Sequence, residues 1–298
     1  MVRQYKIHTN LDGTDDKVWD VTNGKVRFYQ PSNLGLQSTN NIWQSNGIGV
    51  MGTRSITQPQ IEFKLETFGE TLEENYQLMK DFVNDILSKK FVTLEYQTEI
   101  FQVYADLALA DVTKTEGYGK NGTFSEKITF DIITKWYTYE NLTFDMVQNG
   151  KVLSGKSKIY GGTAPGNYRY VKGTSYTYYG ESNIDRLSRW DIKDEIFSFI
   201  GILYPKLPKT PAGVRFLDDI GNEYTAIVFK TEELQDYILI NTDVNDETYQ
   251  GWNGTTSLNL FPVMDFERFR TRIIEHGQME LINLSKAEFK IKRKADFV

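Results

Sequence analysis

The run Gly150-Lys151-Val152-Leu153-Ser154-Gly155-Lys156-Ser157 is a full match to a phosphate-cradling P-loop. That chemistry needs a strand before the loop and a helix opening at the Lys-Ser pair, so that backbone N–H groups and the helix dipole hold phosphates. Here Gly161-Gly162 and Pro165 follow too soon for a helix, and the surrounding chain lacks the alternating strands and helices of a parallel sheet. Gly47-Ile48-Gly49-Val50-Met51-Gly52 fits the dinucleotide fingerprint in letters only, with no strand pattern before it and Pro59 soon after. Asp243, Asn245 and Glu247, like Asp12, Thr14 and Asp16, have the odd-position spacing of a calcium loop. Neither set has Gly at position six or Glu at twelve, so both read as solvated acidic loops.

Other catalytic sets fare no better. Paired carboxylates for glycoside hydrolysis could be drawn from Asp218, Asp219, Glu223, Glu232 or Glu233, but their separation is not written in the sequence. With no cysteine and only His8 and His276, thiolate chemistry, disulfides and a His-based zinc site are all disfavoured. Trp252, in Gly251-Trp-Asn-Gly254, reads as an exposed loop aromatic able to stack on a sugar. The sequence therefore predicts no enzyme, no cofactor and no metal.

The elements that would position any site come next. The clearest are in 61–96. Ile61, Phe63 and Leu65 alternate with Glu62, Lys64 and Glu66 as in a half-buried strand. Thr71 and Glu74 then stand in capping-box spacing, and Leu72, Tyr76, Met79, Val83, Ile86 and Leu87 predict the apolar stripe of a helix. Phe91 to Tyr96 resumes as strand. The 298 residues favour two domains, and 18 Tyr with 18 Phe suit sheets and interfaces. A net charge of -6 gives no global basic surface for nucleic acid, and no run has membrane-spanning length. The N-terminus lacks an apolar signal region, which predicts synthesis in a cytoplasm without signal-directed export.

In chain order, residues 3–9 read as a strand, and 18–21 and 25–29 as a hairpin turning at Asn23-Gly24. From Gln30 to Thr57 regular alternation fades in an Asn-, Gly- and Ser-rich stretch that still carries Leu34, Leu36, Ile42, Trp43, Ile48, Val50 and Met51. Such a stretch is either an arm that buries these groups against another subunit or a loop packed on its own domain. Residues 100–109 and 124–139 add strands. Between 148 and 180 come Tyr160, Tyr168, Tyr170, Tyr176, Tyr178 and Tyr179 among many glycines, either an adaptable contact surface or a pair of exposed hairpins. Short, evenly spaced strands follow at 196–204, 212–217, 223–229, 237–241, 257–261, 279–283 and 287–292, the rhythm of a β-sandwich. Only 264–276 has helical spacing there, through Phe266, Phe269, Ile273 and Ile274.

Several of these stretches resemble the distal tail proteins of siphophages, most of all the type found in lactococcal phage baseplates. The carriers are Tyr5-Lys6-Ile7-His8-Thr9-Asn10-Leu11-Asp12-Gly13, the 30–57 arm, and Phe130-Asp131-Ile132-Ile133-Thr134-Lys135-Trp136-Tyr137. Phe197-Ser198-Phe199-Ile200-Gly201-Ile202-Leu203-Tyr204-Pro205, His276-Gly277-Gln278-Met279-Glu280-Leu281 and Glu288-Phe289-Lys290-Ile291-Lys292 are also similar.

The resemblance implies a mainly β fold with one prominent helix. Residues 1–140 would be a β-sandwich-plus-helix domain that forms a hexameric ring, with the 30–57 arm as a belt on the neighbour and the last strand, within 281–298, returning to it. Residues 141–280 would be a galectin-like outer sandwich whose Tyr/Gly-rich extension, about 146–190, grips a receptor-binding protein. The implied role is a structural hub in the virion tail tip or baseplate, assembled in the host cytoplasm. Its implied partners are the tail tube protein and a tail-tip or tail-associated protein. No nucleic-acid specificity and no membrane are implied. Galectin sites pair a Trp with a His-Asn-Arg set; Trp252 is present and the set is not. The competing expectation is a carbohydrate-binding module contacting the host cell surface through Trp252.

Overall fold

In the computed structural model the described residues are 3–35, 37–57, 60–114, 125–145 and 190–295, with the backbone of four short paired stretches between 147 and 186. The chain forms two compact units, Met1–Thr138 with Ala295–Val298, and Tyr139–Lys294. The fold is mainly β with one helix among the described residues.

The first unit holds β1 (Gln4–His8), β2 (Val18–Asp20), β3 (Val26–Ser32), β4 (Gln37–Ser45), β5 (Ile48–Thr57), β6 (Ile61–Thr67), α1 (Leu72–Leu87), β7 (Val92–Gln97), β8 (Gln102–Thr113), β9 (Ser125–Ile132) and the start of β10 (Tyr137–Asp145). Strands run β2-β1-β7-β8, and β8 then pairs onward through β9 and β6 to β3. The long β8 serves both series: Gln102 to Leu107 faces β7, and Leu107 to Thr113 faces β9 across a bulge at Leu109/Asp111. Between them lie Ile7, Phe28, Phe63, Leu65, Leu94, Leu107, Ile128 and Phe130, all buried. Each such side chain contributes about 1.5–3 kcal/mol by leaving water.

Helix α1 begins at Thr71, whose hydroxyl accepts from Glu74 N–H at 3.1 Å. The Glu74 carboxylate reaches Glu70 N–H instead of closing the box. The expected stripe needs correction. The inward face is Asn75, Leu78, Met79, Phe82, Val83 and Ile86, while Leu72, Tyr76 and Leu87 are exposed. Phe82 decides the rotation by standing edge-on to Trp19 and Phe28 at 5.2 and 5.8 Å. Buried Asn75 is tolerated because it clasps the preceding loop, accepting from Gly69 N–H and donating to Gly69 and Thr71 carbonyls.

The predicted 18–29 hairpin is also corrected: β2 pairs with β1, and β3 with β6. The Asp20 carboxylate accepts from Thr22 and Asn23 N–H, and Gly24 N–H donates to Asp20 O. That turn sends the chain to another strand instead of folding it back on itself.

The second unit takes up β10 and adds β11 (Val147–Gln148), β12 (Lys151–Val152), β13 (Tyr178–Tyr179), β14 (Asp185–Arg186), β15 (Trp190–Ile192), β16 (Ile196–Pro205), β17 (Ala212–Leu217), β18 (Glu223–Phe229), β19 (Tyr237–Asn241), β20 (Thr248–Asn253), β21 (Thr256–Asn259), β22 (Gly277–Ile282) and β23 (Leu284–Lys294). One sheet runs β10-β23-β16-β19-β20-β21 and the other β15-β22-β17-β18. Phe199, Leu203, Val214, Phe216, Ile227, Ile238, Ile240, Leu281, Phe289 and Ile291 form the buried core of this sandwich.

Two expectations change here. The last strand does not return to the first unit, since β23 pairs along its length with β16, Phe289 opposite Gly201, and only the tail from Ala295 belongs there, its N–H on Trp136 O. Residues 264–276 form no helix. Their backbone is spent on β18 and β16 instead, with Ala226 N–H on Arg268 O and Ile274 bridged to Ile196.

Candidate functional site

The most unusual surface is a two-stranded ribbon, β4 with β5, that forms a sheet of its own. Its turn is Asn46-Gly47, with φ of 52° and 78°, between the paired Ser45 and Ile48. Two residues at positive φ make the tight turn whose twist matches paired strands. The Asn-Gly pair is the sequence signal for this turn, but a ribbon without a buried face has no single apolar side to mark its strands.

Register places Trp43 opposite Val50 and Ile42 opposite Met51. Successive side chains alternate, so Trp43, Ile48 and Val50 share one face while Ile42 and Met51 share the other. Their exposures are 68%, 70%, 60%, 53% and 48%. An isolated ribbon is marginal in water, and five large apolar groups on it stay wet unless something covers them. Within the ribbon, Arg54 donates to Asn40 at 3.0 Å beside a register shift between Asn40 and Ile42.

Leu34 stands apart from the rest of the expected contact set. It packs on the first unit's core and its carbonyl accepts from Trp136 Nε1 at 3.1 Å, which makes it an anchor for the ribbon's root. Leu36, Tyr160, Tyr168, Tyr170 and Tyr176 lie outside the described residues. Tyr178 and Tyr179 form β13 against Asp185–Arg186.

The chemical motifs resolve differently. Gly47 to Gly52 lies on the ribbon's turn and β5, where no helix follows. The Gly150–Ser157 match falls mostly outside the described residues. The acidic loops are not simply solvated: Asp243 is buried and ion-paired with Lys292 at 2.9 Å. Asp16 meets His8 Nδ1 at 2.6 Å, and His8 Nε2 meets Glu95 at 2.8 Å. Burial alone would raise the Glu95 carboxyl, but Lys6 and His8 together hold it below the usual range. Glu223 is held low by its hydrogen bond to Arg268, and Asp218 caps its own turn through Ile220 and Asn222 N–H. Among the described residues no three acidic or histidine side chains gather to hold a metal, and no helix is long and apolar enough to cross a membrane. Trp252 sits within β20 and not in a loop, stacked on Tyr237.

Comparison with known proteins agrees with this architecture. Residues 4–133 match the family model for the N-terminal domain of distal tail proteins, and 135–298 the one for their C-terminal domain. The chain is 94% identical over its full length, and the full length of the relative, to the distal tail protein of Lactococcus phage p2. It is 91% identical, again end to end, to that of Lactococcus phage SK1. A chain from the phage p2 baseplate in its activated conformation with calcium superposes with a TM-score of 0.80 at 94% identity, both chains covered completely. The distal tail protein of phage SPP1 shares the fold alone, at 11% identity and a TM-score of 0.54 over 98% of this chain.

Proposed function

This chain belongs to the distal tail protein family, and on that footing we propose that it is a structural hub of a phage baseplate, built by closing copies of itself into a hexameric ring. The observation that carries the reading is the free-standing β4–β5 ribbon with Ile42, Trp43, Ile48, Val50 and Met51 exposed on it. A ribbon reaching from one subunit to a different patch on the next is a heterologous contact, and such contacts close into rings when the rotation allows. Burying each of its five apolar side chains contributes about 1.5–3 kcal/mol, enough to offset much of the cost of association. The ring would sit between the tail tube protein and a tail-tip protein. The outer unit would hold a receptor-binding protein through the Tyr/Gly-rich 146–190 stretch. The phage p2 relative, found in a baseplate, supports this placement. The role is mechanical and not catalytic.

Multi-angle light scattering on the purified protein tests it. Hexamers or multiples of them are expected, and a persistent monomer at high concentration would count against the ring. Replacing 37–57 with a short Gly-Ser link should leave a folded monomer.

A further inference from the structure

The outward face of the sheet β10-β23-β16-β19-β20-β21 carries a row of side chains that the core does not use. Leu203, Ile238 and Tyr249 point inward and are buried, so alternation turns Tyr204, Tyr237 and Trp252 outward, where each is half-buried. Register sets them abreast: Lys286 opposite Tyr204, Tyr237 opposite Trp252, and Trp252 opposite Ser257. The Tyr204 and Tyr237 rings are 6.4 Å apart, and Trp252 stacks on Tyr237 at 6.0 Å with planes 12° apart.

Stacking uses one face of the indole. Across from Tyr237, the position opposite Trp252 on the edge strand β21 is the small, exposed Ser257. Its Nε1–H is covered and has no acceptor among the described residues, so what the indole offers a ligand is its ring and not its N–H. The next outward row brings Gln250 and Asn259 abreast beside the slot. Among the described residues, Lys286 pairs with Glu288 and lies 5.4 Å over the Tyr204 ring, Lys292 pairs with Asp243, and Lys290 lies 4.0 Å over the Tyr139 ring, so each of these cations already has a partner.

We propose that this face binds a neutral saccharide, with one pyranose ring stacked on Trp252 above Ser257 and its hydroxyls met by Gln250 and Asn259. A pyranose presents an apolar C–H face and a rim of hydroxyls, the counterpart of an aromatic plane flanked by amides. An anionic ligand would meet only cations that are already paired, and an apolar peptide would leave the amides unmet. The site does not depend on ring formation.

Saturation-transfer NMR on the full chain, with lactose, maltotriose and chitotriose as probes at about 10 mM, tests this against a dissociation constant of about 1 mM. At least one probe should give a saturable response, weakened at least tenfold by Trp252→Ala and unchanged by Trp43→Ala. Ser257→Tyr, which fills the slot without removing a core side chain, should also abolish it. Silence from all three probes, or a response that survives both Trp252→Ala and Ser257→Tyr, overturns the proposal. Light scattering on Trp252→Ala should show unchanged assembly, which separates this site from the hub.

Discussion

Two hairpins in this molecule are each closed by a two-residue turn and end in opposite situations. The β4–β5 ribbon turns at Asn46-Gly47 and β20–β21 turns at Gly254, with φ of 58°, and each carries a tryptophan. Trp43 is 68% exposed on a ribbon attached to no other sheet, whereas Trp252 is half-buried in a ladder that continues through β19 and β16. Turn chemistry decides that a ribbon forms. What it pairs with decides whether its aromatics pack into the fold or stay exposed.

The contrast can be broken most severely from the sandwich side. Lys292→Met leaves the Asp243 carboxylate buried without its ammonium partner, and should cost about 3–5 kcal/mol in urea unfolding of the second unit. On the ribbon, Trp43→Asp should leave the unfolding midpoint where it is while weakening the proposed self-assembly by about 2 kcal/mol or more, read as a shift in the concentration at which the assembly dissociates.

The turns themselves give a matched pair. Gly47→Val and Gly254→Val place a β-branched residue at φ of 78° and 58° with open space around each, so the cost is conformational, about 1–2 kcal/mol. The first should appear in assembly, the second in the thermal midpoint, and equal effects on both readouts would erase the distinction.

The smallest effect is electrostatic. Arg268 holds Glu223 below the usual carboxylate range, so this contribution to stability is complete above the ordinary Glu pKa of about 4.3 and fades as pH falls through the lower folded value. Arg268→Gln should flatten that acid limb by a fraction of a kcal/mol in midpoints recorded between about pH 5 and 3.

Legibility in the sequence followed how local the cause was. The Thr71 cap and the strands at 212–217, 223–229 and 237–241 need only their own neighbours, and they were readable. The rotation of α1 was not, because Phe82 is fixed by Trp19 and Phe28 from elsewhere in the chain. Helical spacing at 264–276 misled for a similar reason, since Arg268 and Thr271 carbonyls are committed to Ala226 and Thr225 of β18. Of the surface residues, Trp43 and its ribbon neighbours stood out as apolar groups in a polar stretch. Trp252 stood out as well, but its row with Tyr204 and Tyr237 could not, because the members are 33 and 15 positions apart and only strand register lines them up.

The division of β8 between two sets of neighbours has one more effect. Leu107 is where the two ladders overlap, opposite Val92 on one side and Ile132 on the other, so the strand cannot part there without opening both, and the amides around it should be among the last in the first unit to exchange with deuterium. If the ribbon does tie one subunit to the next, any pull it transmits enters through Leu34 and Trp136 and meets a framework laced together at its middle.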